Sequence, residues 1–219
     1  MRWQVLRTVA DAVPARPEGF VRVAVDGPDG SGKTMLADEL AEVLRADGRG
    51  VVRVSADDFH SVRSVRHARG RDSAEGMWLD SYDYARLRHD VLDPLGPDGD
   101  GTYSSRAHDL VSDEVLEPEW QQADRGSVLI VDGLFLHRDE LRDFWDLSIW
   151  LDVPFGVTCA RMAVRDGTDP DPDHPSVARY VGAQRIYLDQ VDPAARAGIV
   201  VDNSDLERPR IVTRGQPDV

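Results

Sequence analysis

Apolar positions along this chain follow two periods. Phe20 to Asp26 (FVRVAVD) alternates and then turns apolar, and Gly50 to Ala56 (GVVRVSA) reads as a second strand ending at Asp57 and Asp58. Ser127 to Gly133 (SVLIVDG), Leu147 to Val153 (LSIWLDV) and Ala197 to Asn203 (AGIVVDN) are near-continuous apolar runs, the pattern of strands buried on both faces. Between them the period lengthens. Met35, Leu36, Leu40, Val43 and Leu44 fall at helical spacing behind Lys33, and Gly48 is placed to stop that helix. Further helices are expected over Tyr82 to Leu95, Arg138 to Trp145, Phe155 to Arg165 and Ser176 to Val191. Strands alternating with helices predict an α/β fold, a parallel five-stranded sheet with helices on both faces. Trp3, Leu6, Val9 and Val13 predict an amphipathic N-terminal extension over residues 1–19, leaving 20–219 as a single domain. Two segments read as loops, LGPDGDGTYSS and the proline-rich, acidic RDGTDPDPDHPS.

Charge and cysteine content narrow the partners. A net charge of -14 disfavours a nucleic-acid backbone, and no apolar run approaches the length of a membrane span. Cys159 stands alone, which fits a reducing cytoplasm. The expected partner is a small molecule, and a homo-oligomer is compatible with the sequence. Lys33 is the only lysine; every other cation among the 26 Lys and Arg residues is an arginine.

That lysine sits in GPDGSGKT, Gly27 to Thr34, which fits G-x-x-x-x-G-K-[ST] between a predicted strand and a predicted helix. Gly27, Gly30 and Gly32 let the backbone bend so that successive amides, those of Asp29 and Ser31 included, point at phosphate oxygens beside a helix N-terminus. A slender ammonium reaches the β and γ phosphates, where a forked guanidinium is a poor substitute. Thr34 offers a hydroxyl to Mg²⁺, and Asp132, ending a buried strand, offers a carboxylate. The nucleotide is expected to be ATP.

The loop alone does not choose among switch GTPases, transport ATPases and small-molecule kinases. A GTPase guanine motif needs a second lysine, which the chain lacks, and no LSGGQ-like signature is present. SADDFH places Asp57 and Asp58 at the carboxyl end of the second strand, where a carboxylate can orient an acceptor hydroxyl and take its proton.

The motifs DGSGKT, SADDFH, LDSYD, YSSRAHD, IVDG and ARMAVRD occur in that order, and together resemble the uridine kinase and phosphoribulokinase superfamily, which includes a pantothenate kinase branch. The resemblance runs from about Val21 to Asn203 and implies a P-loop kinase fold with a short lid at about 161–180. Aligned on Phe59, it gives Asp57 the role of catalytic base and puts His60 where uridine kinases have tyrosine. Asp80 matches the aspartate that holds ribose hydroxyls, and Tyr103 and His108 match a tyrosine and a histidine that contact the base. Arg161 and Arg165 resemble lid arginines that neutralise the transferred phosphoryl group. Arg179 and Tyr180 fall where the family has Gln-Tyr, so Tyr180 agrees and Arg179 does not. VVDNSD would form the last strand and a turn near adenine.

The reading implied is an ATP- and Mg²⁺-dependent kinase for a hydroxyl, uridine or cytidine first. His60, Ser105 and Arg179 depart from the uridine kinase pattern, and Arg63, Arg66, Arg69 and Arg71 could clamp an anionic acceptor. A kinase for pantothenate, a sugar phosphate or a specialised metabolite is the alternative within the class. A nucleotide-dependent switch or regulatory ATPase is the alternative outside it.

Overall fold

A computed structural model describes residues 2–214. The central sheet is built from β1 (Val21–Asp26), β2 (Val51–Ser55), β3 (Val128–Gly133), β4 (Leu147–Asp152), β5 (Ile199–Asp202) and β6 (Arg210–Arg214). Its order is β6-β5-β4-β1-β3-β2. The five expected strands are parallel, with Val21 opposite Val128 and Val51 opposite Val128 on the other side. A sixth strand, β6, joins the edge antiparallel to β5 with a register shift between Ile211 and Thr213. Its short Ile-Val run is too brief to announce itself in the sequence.

Strand alternation divides the core in two. Val21, Val23 and Val25 of β1 face α1 (Arg2–Ala12) and α2 (Lys33–Ala46), packing with Leu36, Leu40, Ile130, Ile149 and Val201. Ala24, Leu129, Val131, Trp150 and Val200 face the other way, onto an aromatic layer of Trp78, Phe135 and Tyr187. Both faces of β1 and β3 are therefore covered, which is why β3 is apolar up to Asp132 and β1 is apolar apart from half-buried Arg22 and its final Asp26. The N-terminal helix buries Val5, Leu6, Val9 and Ala10, whereas Trp3 stays 60% exposed. The predicted stripe was thus rotated: Val5 and Ala10 belong to it and Trp3 does not.

Two other helical expectations need correction. Arg138 to Trp145 forms only a single 3-10 turn over Arg142–Phe144. Only Arg138 and Leu141 of the segment are buried, while Asp139, Glu140, Arg142 and Asp143 are exposed, so its inward face is too narrow to hold a longer helix on the core. The Tyr82 to Leu95 segment starts at Tyr84, capped by Asp83, and widens into a π turn over Arg88–Leu92 around buried Asp90. A helix not foreseen, α3 (Ala74–Asp80), is capped by Ser73 and packs on α5 (Ala178–Val191). Residues 167–177 connect α4 (Phe155–Asp166) to α5 without regular structure. No helix among the described residues is long and apolar enough to cross a membrane.

Candidate active site

The loop between β1 and α2 needs its glycines for geometry. Gly32 caps α2 at φ 93° and Gly30 lies at φ 75°, both left-handed. A Cβ on Gly32 would come within 2.8 Å of Asn203 Nδ2, and one on Gly30 within 2.7 Å of the Thr158 carbonyl. The neighbours that crowd the loop also fix it. Asn203 donates to the Ser31 carbonyl (2.7 Å), and the Gln184 side chain accepts from the Asp29 amide (3.0 Å). Lys33 Nζ rests 3.0 Å from the Pro28 carbonyl and 4.0 Å from Asp29. Burial pushes the Asp29 carboxyl up, and the Lys33 charge opposes the shift.

The wall beneath the loop is set by a carboxylate that the sequence did not single out. Asp26, fully buried at the end of β1, accepts from the amides of Gly27 (2.7 Å) and Leu136 (2.8 Å), from the His137 ring (2.9 Å) and from the Tyr187 hydroxyl (2.5 Å). Burial first, and the Asp26 charge second, push the Tyr187 phenol well above its ordinary value, so it remains a donor.

Thr34 and Asp132 meet as expected, with the threonine hydroxyl donating to Asp132 Oδ2 at 2.7 Å. The other oxygen, Oδ1, accepts from Arg53 at 2.9 Å. A hydroxyl and a carboxylate are hard oxygen donors of the kind Mg²⁺ takes when phosphates supply the rest of its shell. Ser31 Oγ is buried in the same loop without a hydrogen-bond partner, a hydroxyl that a phosphate oxygen would satisfy. The residues present therefore fit both a nucleotide phosphate and its metal.

On the acceptor side, Asp57 is exposed in a 3-10 turn over Ala56–Phe59 that directly follows β2. The turn is capped by Ser55, so neither aspartate is its N-cap. Tyr82 donates to Asp57 Oδ1 at 3.0 Å, and Oδ2 has no hydrogen-bond partner among the described residues. Backbone bonds from Ser61 to Ser81 (2.9 Å) and from Asp83 to Phe59 (2.8 Å) clamp the two segments together. His60 turns back onto the Asp57 carbonyl (2.7 Å) and stacks on Tyr82, with ring centroids 4.5 Å apart. Burial holds His60 below its ordinary pKa, partly offset by that carbonyl and by Asp57.

The remaining candidates are already engaged. Asp58 pairs with Arg106 (3.0 Å) and Asp80 with Arg69 (2.9 Å). The Tyr103 hydroxyl donates to Gln121 (3.1 Å). His108 is buried, with Nε2 at 3.2 Å from Asp113 and Nδ1 lacking a partner. Arg66 also pairs with Asp113 (3.1 Å), so two of the four loop arginines are neutralised by carboxylates. Arg179 donates to the carbonyls of Arg71 and Arg66. Arg161 donates to the carbonyls of Gly30 (3.2 Å), Asn203 (2.9 Å) and Ser204 (2.8 Å), joining the loop to the turn after β5. Arg165 is exposed beside Asp166 (2.7 Å) and lines a cavity of about 310 Å³ with Asp29, Met162, Tyr180 and Gln184. Arg161 and Arg165 thus differ: one anchors backbone and the other faces open space.

The profile of the Phosphoribulokinase / Uridine kinase family matches residues 22–195. The chain belongs to this family. It is a phosphotransferase with an alcohol group as acceptor. It is 27% identical to a uridine kinase of Shewanella denitrificans over 205 residues, covering 86% of this chain and 90% of that one. It is 28% identical to a uridine kinase of Leuconostoc citreum over 153 residues, covering 66% and 67%. Among solved structures, that of a possible uridine kinase from Bacillus stearothermophilus superposes with a TM-score of 0.68 at 23% identity, covering 91% of this chain and 96% of the other. That structural likeness supports the α/β kinase fold.

Proposed function

We propose that the chain uses ATP and Mg²⁺ to phosphorylate the 5′-hydroxyl of uridine or cytidine. The observation that carries this reading is the Asp57 carboxylate, fixed by Tyr82 on one oxygen and open on the other, at the same sheet edge as Lys33 and the Thr34–Asp132 pair. Asp57 would accept the acceptor proton as the hydroxyl oxygen bonds to the γ phosphorus. The bond from that phosphorus to the bridging oxygen breaks, and ADP leaves with its electron pair. Lys33 and the loop amides would hold the donor, and Thr34 with Asp132 would hold the metal. Mg²⁺, when bound, neutralises charge on the β and γ oxygens. Arg165, exposed beside Asp166, would be the lid cation that turns onto the transferring group. The curated relatives' names support the pyrimidine nucleoside as acceptor.

A second reading, a kinase for another alcohol, draws on Asp80. The carboxylate that the family resemblance gives to the ribose is here held by Arg69. The panel that decides is ADP release with uridine, cytidine, other nucleosides, pantothenate and ribulose 5-phosphate, with Asp57→Asn as control. A pyrimidine-nucleoside signal lost in the variant supports the first reading. A signal from another alcohol alone, lost in the same variant, supports the second.

A further inference from the structure

Arg53 has no assigned part in the site, yet it touches the carboxylate proposed for the metal. It lies in β2 between Val52 and Val54, and its side chain is only 17% exposed. Strand register puts Arg53 opposite Ile130 and Ser55 opposite Asp132, so the guanidinium extends along the strand to reach Asp132. There Nη2 donates to Oδ1 at 2.9 Å. The fork is held in place independently of that bond. Nη1 donates to the Ile130 carbonyl at 2.9 Å, and Nε donates to Asp38 of α2 at 3.0 Å. Asp132 is buried, so both of its oxygens are assigned: Oδ1 to Arg53 and Oδ2 to the Thr34 hydroxyl.

We infer that Arg53 is a positioning residue that makes Asp132 a one-oxygen metal ligand and so favours Mg²⁺ over Ca²⁺. The inference rests on the metal role proposed for Thr34 and Asp132. Mg²⁺ demands a near-octahedral shell and takes carboxylates through one oxygen. Ca²⁺ accepts more ligands and readily takes both oxygens of one carboxylate. With Oδ1 occupied by a guanidinium anchored at two other points, the two-oxygen mode is closed. Hydrogen-bond partners of metal ligands commonly change metal affinity by roughly 10- to 100-fold when removed.

The test measures binding of Mn²⁺ to the protein complexed with a non-hydrolysable ATP analogue, by electron paramagnetic resonance, with Mg²⁺ and Ca²⁺ as competitors. In the unaltered protein Mg²⁺ should displace Mn²⁺ at lower concentration than Ca²⁺ does. Arg53→Met should shrink that ratio by about tenfold. Arg53→Lys keeps the charge but cannot grip the Ile130 carbonyl and Asp132 together, so its ratio should fall alongside. If the lysine variant keeps the full preference, charge rather than the fork is responsible and the inference fails. An unchanged ratio in the methionine variant also overturns it. Asp132→Asn separates the two levels: if it leaves Mn²⁺ affinity intact, the metal role of Asp132 fails and this inference falls with it. A weakened Mn²⁺ affinity in Asp132→Asn together with an unchanged ratio in Arg53→Met leaves the metal role standing and sinks the part given to Arg53 alone.

Discussion

The Tyr82 hydroxyl donates to Asp57 Oδ1 at 3.0 Å, and it does so from a phenol that cannot ionise near neutral pH. Desolvation is the main cause of its raised pKa, with the Asp57 charge second. A permanently protonated donor fixes which way the carboxylate faces. Tyr82→Phe should lower kcat by about tenfold through loss of that orientation, with the nucleotide KM little changed. Its effect on stability should be about 1 kcal/mol, the size of one hydrogen bond to a group that water can still reach. Steady-state kinetics beside urea unfolding would check this; a variant with unaltered kcat would remove Tyr82 from the machinery.

Gly32→Ala attacks the loop where it enters α2. The residue lies at φ 93°, and a Cβ would meet Asn203 Nδ2 at 2.8 Å, breaking the bond that side chain makes to Ser31. Strain of this kind costs about 1–3 kcal/mol. We expect ATP affinity to fall by at least about tenfold while the melting temperature drops only a few degrees. Calorimetric titration with an ATP analogue measures the first and thermal unfolding the second. Retention of full affinity would mean that the loop can rearrange around a side chain.

Tyr187→Phe tests the wall behind the loop. The phenol donates to buried Asp26, whose other donors are the amides of Gly27, Leu136 and His137 and the His137 ring. Hydrogen bonds to a charged group contribute about 1.5–3 kcal/mol. The variant should lose about that much in urea unfolding, and its ATP affinity should weaken because Gly27 opens the phosphate loop. A loss well under 1 kcal/mol would show that a water or another donor replaces the phenol.

The parts of the fold and site that were legible in the sequence share a physical reason. Strands covered on both faces are mostly apolar, so β3 to β5 stood out as near-continuous runs and β1 as an alternation that turns apolar, and the phosphate loop is contiguous from Gly27 to Thr34. What escaped were side chains whose partners are distant in sequence. Tyr82 meets Asp57 across 25 positions, Arg53 meets Asp132 across 79, and Gln184 meets Asp29 across 155. Arg53 did leave a trace, a charge set between two valines of a strand whose burial alternates. Gln184 left another, a polar residue on the helix face otherwise made by Val181 and Tyr187. The arginine-rich loop likewise has partners distant in sequence. Its charges suggested an anion clamp, yet Arg66 and Arg69 are matched by Asp113 and Asp80, carboxylates 47 and 11 positions away.

His60 gives the pH dependence a sign. Its ring is held below the ordinary 6.5 by burial, while the Asp57 carbonyl and the Asp57 charge oppose the shift and Arg66 and His108 add to it. The folded state therefore takes up this proton less readily than the unfolded chain. As pH falls below about 6.5, the unfolded state binds the proton first and stability declines. The decline continues until pH reaches the depressed folded value and then stops. His60→Gln removes the titration while its amide can still reach the Asp57 carbonyl. Thermal unfolding between pH 7.5 and pH 5 should then show the unaltered protein losing more stability than the variant. Equal losses would mean that His60 titrates alike in both states, so that burial does not hold the ring beside Asp57 below its ordinary 6.5.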